Sequence, residues 1–369
     1  MEAATTAAPR TPLGRRAIER ARVWIDRYGL IVVLLVLPVV CAIGDLSDAD
    51  KFAFIEFNGP DENGLSRLAS NLKDGVSNGA IWALIALGYT LVYGIIQLIN
   101  FAHGDVFMIG SFAAVGLYGT FGLATGNPVI GLAAGLLAVL VVAMITCGVL
   151  NVMIERVGYR PLRSAPKLAP LITAVGFSFI LQNVGILWLG PQQIAAPDLI
   201  ESQKALFTLG GVTVTQGDVL AIAATAPLLM LLGWFVTQSR MGKAMRATSQ
   251  DPEAARLMGV NVDTTISFTF LLGGLMAGAA GLIYALYQTT IWFFQGFNAG
   301  LIAFTAAVMG GIGSLQGAVL GGVIIGCIQQ ISDNRIGGEW TPAVVFAYLV
   351  LIMVFKPQGL LGEQVREAG

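Results

Sequence analysis

The only histidine of the chain, His103, precedes Asp105 by two residues in the stretch LINFAHGDVFMIGSF, 98–112. On either side the sequence is apolar or small for dozens of residues. A lone carboxylate in such surroundings is a functional candidate, because burying it in lipid costs about 2.5–3.5 kcal/mol on insertion scales. In an ion-coupled carrier it would hold a proton or a sodium ion. The alternative is structural: NFAHGD also reads as a tight turn at a membrane face, with Asp105 capping the next helix. Metal chemistry is excluded more firmly. One histidine and three scattered cysteines, Cys41, Cys147 and Cys327, make no zinc or haem ligand set. The cysteines read as small buried hydrophobes.

The elements that position this pair follow from composition. Of 369 residues, 56% are hydrophobic and 12% charged, about half the charge of a soluble domain. Such a chain cannot cover itself with a water-compatible surface. It therefore reads as an all-α polytopic membrane protein with about nine to ten transmembrane or re-entrant helices. No basic patch interleaved with aromatics suggests nucleic acid. Runs long enough for the bilayer fall at 28–44, 75–98, 103–121, 129–153, 170–189, 218–236, 264–287, 301–331 and 342–356. Segment 301–331 is too long for one span and is broken by Gly310, Gly311 and Gly313, which predicts two helices around a glycine turn. Discontinuous helices at membrane depth, here and at Gly104, are a transporter habit. Pairs such as Gly274 and Gly278, or Gly322 and Gly326, have the spacing of close helix contacts.

Charge placement predicts orientation. Six arginines precede residue 28, and 155–167 and 240–256 carry four basic residues each, whereas 45–74 has seven acids and three bases. The basic segments, and by parity both termini, are expected in the cytoplasm. The organisation predicted is a basic segment 1–27, an extra span with an acidic outer segment over 28–70, a core over 71–356 and a tail over 357–369. The span 28–44 lacks a cleavage pattern and reads as an uncleaved anchor.

The loop 238–263 interrupts the core. Asp251, Pro252 and Glu253 read as N-cap, first helical proline and first-turn acid, and Gly259 stands where a left-handed C-terminal cap belongs. Ala254 and Ala255 leave one flank flat. Such a helix either docks into another protein or lies on the membrane surface.

EAARLMG at 253–259 resembles the EAA signature of ATP-binding-cassette importer permeases. Together with ALIALGYTLVYGIIQLINFAHGDVFMIGSF, IERVGYRPLR, SRMGKAMRATSQDPEAARLMGVN and FTAAVMGGIGSLQGAVLGG, it makes residues 75–362 resemble the H-type subunit of the high-affinity branched-chain amino-acid permeases. The resemblance implies a bacterial inner-membrane importer subunit for leucine, isoleucine and valine. Its implied partners are an M-type permease, two cytoplasmic ATP-binding subunits and a periplasmic amino-acid-binding protein, besides membrane lipid. Glu253, Ala254, Ala255 and Gly259 would couple to the ATPase, flanked by Arg246 and Asp251. Asn100, His103, Gly104 and Asp105 match the family's INFAHG-acid block, taken here as a helix break beside the translocation path.

The chain itself is expected to bind no cofactor and to catalyse no reaction. GKAM at 242–245 lacks the upstream glycine and the Ser/Thr of a phosphate-binding loop, so ATP and Mg would be bound by the partner subunits. Phe293, Phe294, Phe297 and Phe304 are candidates to line an apolar path, although the aromatics at 292–297 also suit an interfacial belt. The sequence departs from the family in its first 70 residues, and in Ile302 and Gln316 where many relatives have Lys and Pro. Related permeases also move urea, short amides and other amino acids, and a secondary transporter is the rival from another class.

Overall fold

The computed structural model describes residues 34–43, 51–52, 55–56 and 64–362 other than 124–130, 164 and 167, together with 29 and 32. The expected segment 1–27 and most of the acidic stretch before 64 lie outside the described residues, as do 363–369 of the tail. Two helices, α2 (Gly64–Ile96) and α9 (Val262–Gln288), are buried along most of their apolar length and form the centre of the bundle. Around them stand α1 (Leu34–Ile43), α3 (Ala102–Thr120), α4 (Leu132–Ile154), α5 (Leu168–Leu189), α6 (Gln216–Gln238), α10 (Gln295–Gly310), α11 (Leu315–Ser332) and α12 (Thr341–Phe355). The short helices α7 (Arg240–Gln250) and α8 (Pro252–Leu257) occupy the loop between α6 and α9. Among the described residues, six helical segments are long and apolar enough to cross a bilayer by themselves. The protein is an all-α polytopic membrane protein.

Strand pairing is minor and lies at the end opposite α7 and α8. Among the described residues, three two-stranded antiparallel ribbons join β1 (Lys51–Phe52) to β2 (Ile55–Glu56), β3 (Ile194–Ala195) to β6 (Thr290–Ile291), and β4 (Ala205–Leu209) to β5 (Val212–Thr215).

Small residues set the helix spacing, as lipid offers no hydrophobic drive between helices. A methyl group at Gly278 would sit 2.5 Å from the Ala143 carbonyl, so α9 meets α4 backbone to backbone. At Gly322 it would sit 2.7 Å from the Ala83 Cα, and at Gly326 2.5 Å from the Gly79 Cα, which seats α11 against α2. Outward faces are greasy instead: Leu137, Ile145, Val149 and Met153 on α4 and Met230 and Trp234 on α6 are all exposed.

Two boundaries differ from the hydropathy reading. Helix α2 starts eleven residues before 75, and its 33 residues span about 50 Å, well beyond a 30 Å hydrocarbon core. Its polar first turns persist because Lys73 is held by Asp74 (2.8 Å), by Asp218 of α6 (2.6 Å) and by the Thr213 carbonyl (2.9 Å). The break expected at Gly104 lies instead at 97–101, where Gln97 turns with φ 51°, and Gly104 is inside α3. The break at 310–314 falls where the glycines place it. Gly311 (φ 107°) and Gly313 (φ 96°) take left-handed conformations that other residues rarely adopt, and the Ser314 hydroxyl caps α11 by accepting from the Gly317 amide at 3.1 Å. The last carbonyls of α10 are satisfied from far along the chain: the Leu360 and Leu361 amides donate to Met309 and Gly310, both at 2.8 Å.

Candidate functional site

The block 100–105 is deep and dry. Asn100, His103 and Asp105 are at most 2% exposed. The first turn of α3 starts from Phe101, which offers no capping side chain, so Asp105 is a residue of the helix and not its cap. Its Oδ2 accepts the Ser178 hydroxyl of α5 at 2.5 Å, and Gln182 donates to the same Ser178 oxygen at 3.1 Å. Oδ1 has no hydrogen-bond partner and faces Gly296, where a side chain would collide with it. Gly104 packs on Gly300, and Gly296 and Gly300 together let α10 approach α3 this closely.

His103 stacks edge-on to Tyr89, ring centroids 4.9 Å apart, and neither ring nitrogen makes a hydrogen bond of ordinary geometry. Its imidazole fills the space a side chain at Gly88 would need, beside the carbonyl of Gly273. Gly273 lies eleven residues into α9, or about 16 Å along that helix. That is near the middle of this 27-residue helix. Asn100 closes a polar chain from Tyr159, whose hydroxyl donates to Asn100 Oδ1 (3.1 Å), to Asn151, which accepts from Asn100 (3.3 Å) and donates to the Phe270 carbonyl (2.6 Å). Buried polar groups in lipid need such partners. The block therefore locks α3 to α4, α5 and α9. Phe304, with Tyr89, Tyr93, Ile99, Ala307 and Ile312, borders a water-sized space of about 10 Å³. Phe293, Phe294 and Phe297 cluster with Trp292 at the start of α10, away from Phe304.

The loop 239–263 is built as a rigid hook. Ser239 caps α7 by accepting from the Gly242 amide at 2.9 Å. The Arg246 guanidinium reaches back to the Val236 carbonyl and, at 3.2 Å, to that of Thr237, closing the end of α6. Asp251 ends α7 and starts α8, its Oδ1 accepting from the Glu253 (2.9 Å) and Ala254 (3.0 Å) amides, with Pro252 at the first helical position. Gly259 (φ 84°) ends α8, and the Val260 amide donates back to the Ala255 carbonyl. Ala255 points inward, whereas Glu253 and Ala254 are exposed. Leu257 and Met258 are 89% and 84% exposed, a bare apolar tip on an otherwise anchored loop. Between α7, α2 and the glycine turn at 313–316 lies a cavity of about 290 Å³ that Arg246 borders.

Sequence reasoning missed a second anchor. Glu155, fully buried in a π-helical turn (Glu155–Tyr159), pairs with Arg163 and accepts from Ser267 of α9 at 2.6 Å. Arg163 also pairs with Asp263. In sequence Glu155 is one acid in a basic loop, and nothing marks its partner 112 residues later. Among the described residues no group of three potential ligands could hold a metal ion.

The family model described as "Branched-chain amino acid transport system / permease component" matches residues 71–354. The chain is 39% identical over 297 residues to the high-affinity branched-chain amino acid transport system permease protein LivH of Escherichia coli (strain K12), covering 78% of this chain and 94% of that one. It is 38% identical over 296 residues to the permease protein BraD of the same system in Pseudomonas aeruginosa, covering 79% and 94%. A probable branched-chain amino acid transport permease protein LivH of Methanocaldococcus jannaschii is 26% identical over 303 residues, covering 79% and 91%.

Proposed function

Because the chain belongs to the branched-chain amino acid transport system permease family, we propose that it is one membrane subunit of an ATP-binding-cassette importer carrying leucine, isoleucine and valine into the cytoplasm. The observation that carries this reading is the hook at 239–263. Its helices are capped at both ends and tied to α6 and α9, yet its tip exposes Leu257 and Met258. A rigid element with an apolar tip transmits a push from whatever covers that tip. On this reading the cover is a groove on a cytoplasmic ATP-binding subunit, which supplies the ATP and Mg. Glu253, Ala254, Ala255 and Gly259 form the coupling element, with Arg246 and Asp251 fixing its ends.

The orientation follows from the basic loops: α7 and α8, both termini and the turn at 310–314 face the cytoplasm, and the ribbons β3–β6 and β4–β5 face the periplasm. A second, M-type permease completes the membrane part, and a periplasmic amino-acid-binding protein delivers the substrate. The block Asn100, His103, Gly104 and Asp105, with Phe304, serves as a pivot: it fixes α3 against α5 and α10 beside the moving path. Uptake of radiolabelled leucine into proteoliposomes holding all membrane and ATPase subunits, with binding protein outside and ATP inside, tests the reading. Uptake that needs ATP and is lost on Glu253→Lys supports it, and uptake by this chain alone without ATP sinks it in favour of a secondary carrier.

A further inference from the structure

At the end of the bundle carrying the β ribbons, two cavities share the wall residues Gln288 and Asp333. One, of about 520 Å³, is strongly polar and is bordered by Lys73, Asp74, Asn78, Asp218 and Gln330. The other, of about 170 Å³, is walled about equally by apolar residues, among them Trp82, Tyr284, Ile302 and Val345, and by polar ones, among them Gln295, Asn298 and Gln329.

Their polar groups are unequally satisfied. The Lys73 ammonium already points at Asp74, Asp218 and the Thr213 carbonyl, so its three protons are in use. The residues bordering the polar cavity thus include three carboxylates against one cation, an excess that favours an incoming ammonium. Asp333 is held for that role: Thr341 donates to its Oδ1, and Gln329, itself fixed by the Trp82 indole N–H at 2.6 Å, donates to Oδ2 at 3.5 Å. Each oxygen keeps a lone pair. On the wall of the smaller cavity, Gln295 is 3% exposed; its amide oxygen accepts from the Trp292 backbone at 3.2 Å, but its Nε2 has no partner. A buried donor of this kind costs about 1–3 kcal/mol unless something accepts from it. A free donor on Gln295, an ammonium site on Asp333 and an aliphatic surface border the same cavity.

We propose that the smaller of these adjoining cavities is a reception site for an aliphatic α-amino acid, with its ammonium on Asp333, its carboxylate on the Gln295 amide, and its side chain between Trp82, Tyr284, Ile302 and Val345. This deepens the importer reading and rests on it. The site makes the permease itself selective, after the binding protein has made its own choice. It favours a branched aliphatic side chain, which covers Ile302 and Val345, over alanine, which leaves that surface bare.

The test measures equilibrium binding of tritiated L-leucine to the assembled transporter in nanodiscs, without nucleotide or binding protein. Saturable binding that isoleucine and valine displace, and that glycine and isoamylamine do not, is expected. Gln295→Leu should weaken it about tenfold or more, the effect of losing a hydrogen bond to a charged group. Val345→Trp, which fills the space for the side chain, should abolish leucine binding while alanine still binds. Absence of saturable binding, or binding unchanged in both variants, overturns the site. ATP-driven uptake with binding protein is run on the same preparations: uptake without direct binding removes this site and keeps the importer, whereas no uptake at all removes the importer reading.

Discussion

The Asp105 carboxylate of α3 and the Ser178 hydroxyl of α5 meet at 2.5 Å inside the bundle, 73 residues apart in sequence and both buried. This contact fastens two helices at a depth where water cannot substitute for either partner. In a double-mutant cycle with Asp105→Asn and Ser178→Ala, the two changes should couple by about 0.6–1.7 kcal/mol in detergent unfolding. Asp105→Asn should also lower uptake while the complex still assembles. Additive effects with unchanged uptake would reduce the contact to ordinary packing.

His103 occupies the space next to Gly88. Gly88→Ala should therefore destabilise the protein by about 1–3 kcal/mol through overpacking. Adding His103→Ala should recover most of that loss, because the removed ring makes room for the methyl. Thermal unfolding of the two single variants and the double variant decides it: a double variant no better than Gly88→Ala rules out the clash as the cause.

Removing one member of the buried pair between Glu155 and Arg163 leaves the other charge stranded. Arg163→Leu should cost about 3–5 kcal/mol, and the loss should be far smaller when Glu155→Leu is added, since no lone carboxylate then remains inside. The check is the detergent-unfolding midpoint of each. Equal damage in single and double variants contradicts the prediction.

At the tip of the hook, Leu257→Asp with Met258→Asp should leave unfolding unchanged, since both side chains already face solvent. Co-purification of the ATP-binding subunit should fall sharply, and leucine uptake with it. A fully assembled and active complex would move the docking surface elsewhere.

Helix positions were largely legible in the sequence because hydropathy and glycine act locally. The turn at 310–314, the capped helix from Asp251 to Gly259 and the spans around them need only neighbouring residues to specify them. Helix α2 shows where that stops. Its polar first turns read as loop, and partners far along the chain, such as Asp218, 145 positions from Lys73, explain why they are helical. The same applies at the sites. The types at Asn100, His103 and Asp105 announced something unusual, but Ser178, Tyr159 and Asn151 carry no mark of their own. Gln295 was invisible for the converse reason: what distinguishes it is a missing partner, and a sequence does not display that.

The end of α10 is finished by residues 358–362, which are synthesised only after α11 and α12. During membrane insertion the carbonyls of Met309 and Gly310 must therefore wait for two later helices before they are matched. Assembly of this bundle has a built-in order: the α10–α11 hairpin can enter early, but it is sealed only when the chain doubles back beneath it.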